Sequence, residues 1–136
     1  MSKIAIALHL IIDFIENNEK IKENDVVEVL SSSGFEDYEI RQTLSIFNFN
    51  NNTTGIRYFT THEKIKLSNN ARLYLQKLLF SGLIDVITME QVLEKIDELD
   101  DNNININQIK QIVMVVLIEE NSHIFKNKQY NDNILH

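Results

Sequence analysis

Residues 3–18 contain two stripes of apolar side chains at the spacing of an α-helix. The first stripe consists of Ile4, Leu8, Ile11, Ile12 and Ile15, and the second consists of Ile6, Leu10 and Phe14. A surface helix of a globular protein has one apolar side, whereas this segment has more than one. We therefore predict a first helix that packs against several neighbours or keeps its second stripe for a partner.

Two shorter helices with a glycine between them are predicted next. Asp25 can accept hydrogen bonds from the free amides of a helix over 26–33, and Gly34 supplies the left-handed residue that ends it. Glu36 and Asp37 place negative charge at the start of a third helix, where the helix dipole favours it. This order predicts a helix-turn-helix.

A polar, asparagine-rich link over 48–55 precedes four residues, 56–59, that favour extended structure. We predict that 56–59 pairs with 47–49 as a short β-hairpin. A hairpin that follows a helix-turn-helix gives the outline of a winged helix.

Two capping boxes, in which a hydroxyl and a carboxylate or amide satisfy free backbone groups, mark later helix starts. They are Thr60 with Glu63 and Thr88 with Gln91. Together with the apolar spacing they predict helices over 61–67, 68–81, from 88 through 99, and 105–119.

The segment 112–118, Ile-Val-Met-Val-Val-Leu-Ile, is compatible with either a helix or a buried strand. Its β-branched residues favour a strand, whereas the spacing of the apolar residues before it favours a helix. We predict a helix that is central or lies at an interface.

The resulting architecture is mainly α. We predict a helix-turn-helix or winged-helix-like part with a short β-hairpin over 1–60, a helical part packed on it over 61–120, and a polar C-terminal tail over 121–136. These parts are expected to form one compact unit.

The amino-acid composition excludes several classes of function. The chain has 136 residues, no Cys, no Pro, three Gly and a formal net charge of −7. The absence of Cys excludes disulfide scaffolds, thiol nucleophiles and zinc fingers, and three isolated glycines exclude a phosphate-binding loop. The apolar run 4–15 is shorter than the roughly 20 residues that span a bilayer, so we expect no membrane segment and a cytoplasmic location.

Candidate catalytic and metal-binding residues have simpler explanations. His9 and Asp13 share a helix face but lack a nucleophile or a third ligand, and His62 neighbours a glutamate that the capping box already uses. A calcium loop starting at Asp101 would have isoleucine at the positions of the required glycine and glutamate. We predict no catalytic, cofactor-binding or metal-binding residue, and no enzyme.

Nucleic-acid binding is the alternative function. Residues 1–60 contain five Lys or Arg and nine Asp or Glu, and the helix that would enter the major groove starts with acidic residues. The basic residues that remain as candidates are Lys64, Lys66, Arg72 and Lys77.

Several segments resemble the bacterial Smg family. They include Ile56–Glu63, Leu67–Ser68, Ala71–Arg72 and Leu75, then Leu83–Ile84, Val92–Glu94, Leu99–Asp100, Ile109–Lys110 and Val113–Leu117. The link at 48–55 is short, and the segment 119–130 is shortened and lacks a Pro-Gly turn common in the family.

The resemblance implies a family of unknown biochemical function. Its genes often lie beside those of a DNA-processing protein of the transformation pathway and of enzymes that handle formyl-methionine. This implies a cytoplasmic accessory protein in nucleic-acid or translation housekeeping, and no catalytic residue is assigned in the family.

Apolar side chains beyond those needed for one core face suggest how such a protein acts. We predict a non-enzymatic adaptor that binds another protein, with these partner-binding residues: Ile6, Leu10, Phe14, Leu73 and Phe80. The alternative is a weak nucleic-acid binder that uses the basic helix face named above.

Overall fold

The computed structural model describes residues 2–18, 21–47 and 57–124. The main helices are α1 (Lys3–Glu16), α2 (Glu23–Ser32), α3 (Asp37–Leu44), α4 (Thr61–Lys66), α5 (Asn69–Phe80), α6 (Val86–Asp97) and α7 (Ile106–Glu120). Residues 122–124 are also helical. The helical character predicted from the apolar spacing is confirmed, and most of the predicted tail lies outside the described residues.

The first helix lies at the centre of the packing. α1 contacts α2, α3, α5 and α7, and the whole first apolar stripe is buried. In the second stripe Ile6 is 41% exposed, whereas Leu10 and Phe14 are half-buried and pack against the core. A single cluster of buried apolar side chains runs from Ala7 in α1 to Leu117 in α7.

The predicted β-hairpin is wrong, and the winged helix is wrong with it. No strand occurs within 2–18, 21–47 or 57–124, while 48–56, which includes the link and three of the seven predicted strand residues, lies outside the described residues. Phe47 is buried in the core instead. The carbonyl of Arg57 accepts a hydrogen bond from the Gln76 side chain, so side-chain contacts hold residues 57–59 in place of a strand partner.

The turn between the second and third helices agrees with the prediction, but one helix start does not. Gly34 has φ +90° between α2 and α3, the left-handed conformation that glycine adopts most easily. α2 begins at Glu23, three residues before the predicted start. Asp25 therefore lies inside the first turn, where its carboxylate accepts from the backbone N–H of Lys22 at 2.9 Å.

The two predicted capping boxes have opposite outcomes. At Thr60, the hydroxyl accepts from the Glu63 amide at 3.1 Å and the Glu63 carboxylate accepts from the Thr60 amide at 2.8 Å, as predicted. At Thr88 the prediction is wrong, because α6 begins two residues earlier and Asp85 caps it by accepting from the Thr88 amide at 2.7 Å. The buried Thr88 hydroxyl instead donates to Glu120 of α7 at 2.9 Å.

The segment 112–118 is helical, which confirms the favoured alternative. Val113, Val116 and Leu117 are buried, while Val115 is 47% exposed. Because α7 packs against α1, α5 and α6, most side chains of 112–118 are buried or half-buried. Burial by three helices therefore offsets the modest helix propensity of β-branched residues.

The end of α4 and the start of α7 are joined by backbone hydrogen bonds. Ile104 donates to the Lys66 carbonyl at 2.8 Å, and Ser68 donates to the Ile104 carbonyl at 3.0 Å, which forms an isolated parallel bridge of Leu67 with Ile104. Both bridge residues are buried. This connection fixes α4, and the residues just before it, against the C-terminal helices.

Candidate interaction surface

Arg57 is held by two carboxylates from different parts of the chain. Its Nη1 and Nη2 donate to the two carboxylate oxygens of Glu63 at 2.8 and 2.9 Å, and its Nε donates to Glu90 of α6 at 2.7 Å. The planar guanidinium matches paired carboxylate oxygens, so these charge-assisted bonds are both strong and directional. Glu63 also closes the capping box of α4, which places the network at the start of that helix.

The same contacts shift the proton affinities of the ion pairs. The hydrogen bond to Glu90 is the largest cause that raises the pKa of Arg57 above its ordinary value; partial burial opposes it, and Glu63 adds to it. Partial burial alone would raise the pKa of Glu63, but the hydrogen bonds from Arg57 and from the Thr60 amide outweigh burial and lower it. Arg57 and Glu63 are therefore both charged at neutral pH.

Two further contacts fix the backbone of 57–59. Gln76 of α5 donates to the Arg57 carbonyl, and the Arg57 guanidinium carbon lies 5.6 Å from the centre of the Phe59 ring, within cation–π range. Side chains of α4, α5 and α6 thus all reach the Arg57 residue. A short segment without regular structure is anchored at the junction of three helices.

Large apolar side chains are exposed around this anchor. We call them the apolar rim: Tyr58 (83% exposed), Leu73 (60%), Phe80 (70%) and Ile87 (68%). On α5, Leu73 and Phe80 lie three residues before and four residues after Gln76, and on α6 Ile87 lies three residues before Glu90, so each is one helical turn from a side chain that binds Arg57. Helical spacing therefore places Leu73, Phe80 and Ile87 beside side chains that hold the anchored segment, which contains Tyr58.

Two grooves of opposite charge are lined in part by residues 57–60. The larger, of about 440 Å³, lies between α4 and α6 and includes four carboxylate side chains, those of Glu63, Glu90, Glu94 and Asp97. The smaller, of about 240 Å³, has no Asp or Glu in its lining and includes Lys64, Arg72 and two members of the apolar rim. The anchored segment thus lines the basic, apolar groove, and the next residue, Thr60, lines the acidic one.

The four predicted basic residues do not form one face. The Lys66 ammonium is buried and donates to the carbonyls of Asp97, the last residue of α6, at 3.2 Å and of Leu99, two residues later. Lys77 donates to the carbonyls of Ile15 and Glu16 at the end of α1, both at 3.3 Å. These two lysines occupy the negative ends of helix dipoles.

The other two predicted basic residues meet at the smaller groove. Lys64 is exposed, and Arg72 is half-buried with Nη2 3.4 Å from Asn69 Oδ1. The buried Nε of Arg72 has no hydrogen-bond acceptor among the described residues.

Two histidines of the described residues each pair with one aspartate, and neither pair belongs to a larger group of potential metal ligands. His9 lies 3.3 Å from Asp13, and His62 lies 2.7 Å from Asp97. Residues 2–18, 21–47 and 57–124 contain no group of three His, Cys, Asp or Glu side chains placed to hold a metal ion. In that part of the chain, no helix is both long and apolar enough to cross a bilayer.

The five partner-binding residues predicted from the sequence occupy different environments in the structure. Leu73 and Phe80 belong to the apolar rim, Ile6 is partly exposed on α1, and Leu10 and Phe14 pack against the core. The pattern did not indicate Arg57, Glu90 or Ile87. The capping box indicated Glu63, but no local pattern links it to Glu90, which lies 27 residues further along the chain.

Comparison with known proteins identifies the family. The model of the family described as "Protein of unknown function (DUF494)" matches residues 4–135. The proteins named "Protein Smg" from Buchnera aphidicola subsp. Acyrthosiphon pisum, strains Tuc7 and 5A, are each 27% identical over 154 aligned positions, which cover 96% of this chain and 98% of each relative. The chain belongs to the Smg family.

A second similarity is limited to part of the chain. The "Protein Smg homolog" of Nitrosococcus oceani is 31% identical over 64 residues, which cover 47% of this chain and 40% of that relative. No solved structure shows a significant match to the chain. The Smg family membership inferred from the residue pattern is confirmed, and the family's description assigns it no activity.

Proposed function

We propose that this Smg-family chain is a non-enzymatic accessory protein of the cytoplasm that binds another protein through the apolar rim. The observation that supports this proposal most is the exposure of Tyr58, Leu73, Phe80 and Ile87, each of which lies in the anchored segment or one helical turn from a side chain that holds it. Single exposed apolar residues are ordinary on protein surfaces, whereas a grouped set marks interaction sites.

The rigidity of the anchor supports the same role. Arg57 is bound by side chains from α4, α5 and α6, so Tyr58 projects from a backbone that its neighbours already fix. A preformed surface loses less conformational entropy on binding, which leaves more of the contact energy as affinity. A few large side chains that fill partner pockets, tyrosine prominent among them, dominate the energetics of such surfaces.

Quantitative capture from cells of the source organism tests the proposal. Tagged full-length chain carrying Leu73→Glu or Phe80→Glu is compared with the unchanged protein, and the yield of each co-captured protein is measured. We expect at least one specific partner whose recovery falls about tenfold or more in both variants, the size of an anchor residue's loss.

Tyr38→Glu is the matched control. Tyr38 is 52% exposed on α3, which packs against α1 and α2 and carries no residue of the rim. Its substitution should leave recovery unchanged, and circular dichroism should show helical folding in all three variants. Unchanged recovery with both rim variants would show that partners bind elsewhere.

A further inference from the structure

The smaller groove has the size of a side-chain pocket rather than of a cofactor site. Its volume is about 240 Å³, below the roughly 300–1,000 Å³ that holds drug-sized ligands and cofactors. Tyr58 and Leu73 of the apolar rim contribute to its lining, together with the ring of Phe59. The groove can therefore accept one or two side chains of a protein that covers the rim.

The charge of the groove differs from that of the molecule. The chain has a net charge of −7, yet this groove contains Lys64 and Arg72 and no Asp or Glu. Arg57, the third cation of the lining, is already bound to Glu63 and Glu90. Two cations thus remain beside an apolar surface, and the buried Nε–H of Arg72 has no acceptor among the described residues.

We propose that this groove binds a protein segment that presents an Asp or Glu carboxylate next to a large apolar side chain. The inference rests on the proposed function and specifies the chemistry of the partner. The carboxylate accepts charge-assisted hydrogen bonds from Arg72 and Lys64, while the apolar side chain packs against Leu73 and Tyr58.

A peptide fits these observations better than a nucleic acid. Lys66 and Lys77 are committed to the ends of α6 and α1, so the groove offers two cations. Contacts with two phosphates of a single strand would give a log–log salt slope of only about −1.4, and the net negative charge of the chain opposes the approach of a polyanion. One carboxylate needs no more than the two cations present.

Titration of the full-length, nitrogen-15-labelled chain tests the proposal by NMR. The probes are a short synthetic peptide of alternating aspartate and leucine, the same peptide with lysine in place of aspartate, and an oligothymidylate. We expect saturable shifts of the Tyr58, Arg72 and Leu73 amides with the acidic peptide, and at least tenfold weaker binding of the basic peptide and of the oligothymidylate.

Charge-reversal variants locate the binding. Lys64→Glu should weaken binding of the acidic peptide about tenfold, the effect of losing one hydrogen bond to a charged group. Lys22→Glu changes the net charge equally at an exposed residue before α2 and should leave binding unchanged. Tighter binding of oligothymidylate than of the acidic peptide, equal weakening by both variants, or no shift at the groove would each overturn the inference.

The capture experiment separates this inference from the proposed function. If Leu73→Glu and Phe80→Glu abolish partner recovery while Lys64→Glu and Arg72→Gln preserve it, the adaptor role holds and the acidic-segment inference fails. If none of the four changes recovery, the proposed function fails as well.

Discussion

At the scale of single residues, the key interaction is the one between Arg57 and its two carboxylates. Glu63 is 19% exposed and Glu90 is 53% exposed as side chains, so the Glu63 bond is the better shielded of the two. The sequence predicts the Glu63 capping contact because it is local, spanning three residues. It does not predict the Glu90 contact, which depends on the packing of α6 against α4.

Removal of the guanidinium should destabilise the fold. Arg57→Leu leaves Glu63 partly buried without its bidentate partner, and we expect a loss of about 2 kcal/mol in the free energy of unfolding, the usual cost for hydrogen bonds to charged groups. Urea denaturation at neutral pH measures it. As control, Lys95→Ala breaks the partly exposed pair with Glu119 and should cost less than about 0.5 kcal/mol. Equal losses in the two variants would contradict the prediction.

The lowered pKa of Glu63 predicts an acid-sensitive contribution to stability. A carboxylate whose folded-state pKa lies below its unfolded value of 4.5 stabilises the fold above pH 4.5, and this contribution is lost as the pH falls through the folded-state value. Glu63→Gln should therefore flatten the fall in stability below pH 4.5. Urea midpoints measured across this range check it, and parallel curves for both proteins would contradict it.

At the scale of elements, apolar spacing predicts the helices and their buried faces, because every described helix repeats the same local geometry. It misplaces starts where two caps compete. Thr88 and Gln91 match a capping box, but α6 is capped by Asp85, which accepts a hydrogen bond from the Thr88 amide. The Thr88 hydroxyl instead contacts Glu120 of α7. It also fails at 57–59, where aromatic residues with strand propensity are held by distant side chains.

The identity of the α6 cap can be tested directly. Asp85→Ala removes the acceptor of the Thr88 amide and should cost about 1 kcal/mol, as is usual for an N-cap. Gln91→Ala, at an exposed position, should change stability by less than about 0.3 kcal/mol. Thermal unfolding of both variants compares them, and a larger loss for Gln91→Ala would restore the cap predicted from the sequence.

At the scale of the whole molecule, the structure shows where the charged side chains lie, whereas the sequence gives only their number. The net charge of −7 weighs against nucleic-acid binding, and two of the four lysines and arginines proposed for that role cap helix ends instead. The remaining two meet beside Tyr58 and Leu73. The spacing of apolar residues indicated Leu73 and Phe80 for partner contact. It did not indicate Tyr58 and Ile87, whose link to the rim depends on the contacts that Arg57 makes with three helices.

Site-specific photo-crosslinking at two exposed tyrosines tests the central claim most directly. The chain is expressed in its own cells with a photoreactive phenylalanine analogue in place of either Tyr58, in the apolar rim, or Tyr38, on α3. We expect irradiation to give a discrete covalent adduct with another protein from position 58 and none from position 38. Adducts from position 38 alone, or from neither position, would contradict the claim that the rim is the partner-binding surface.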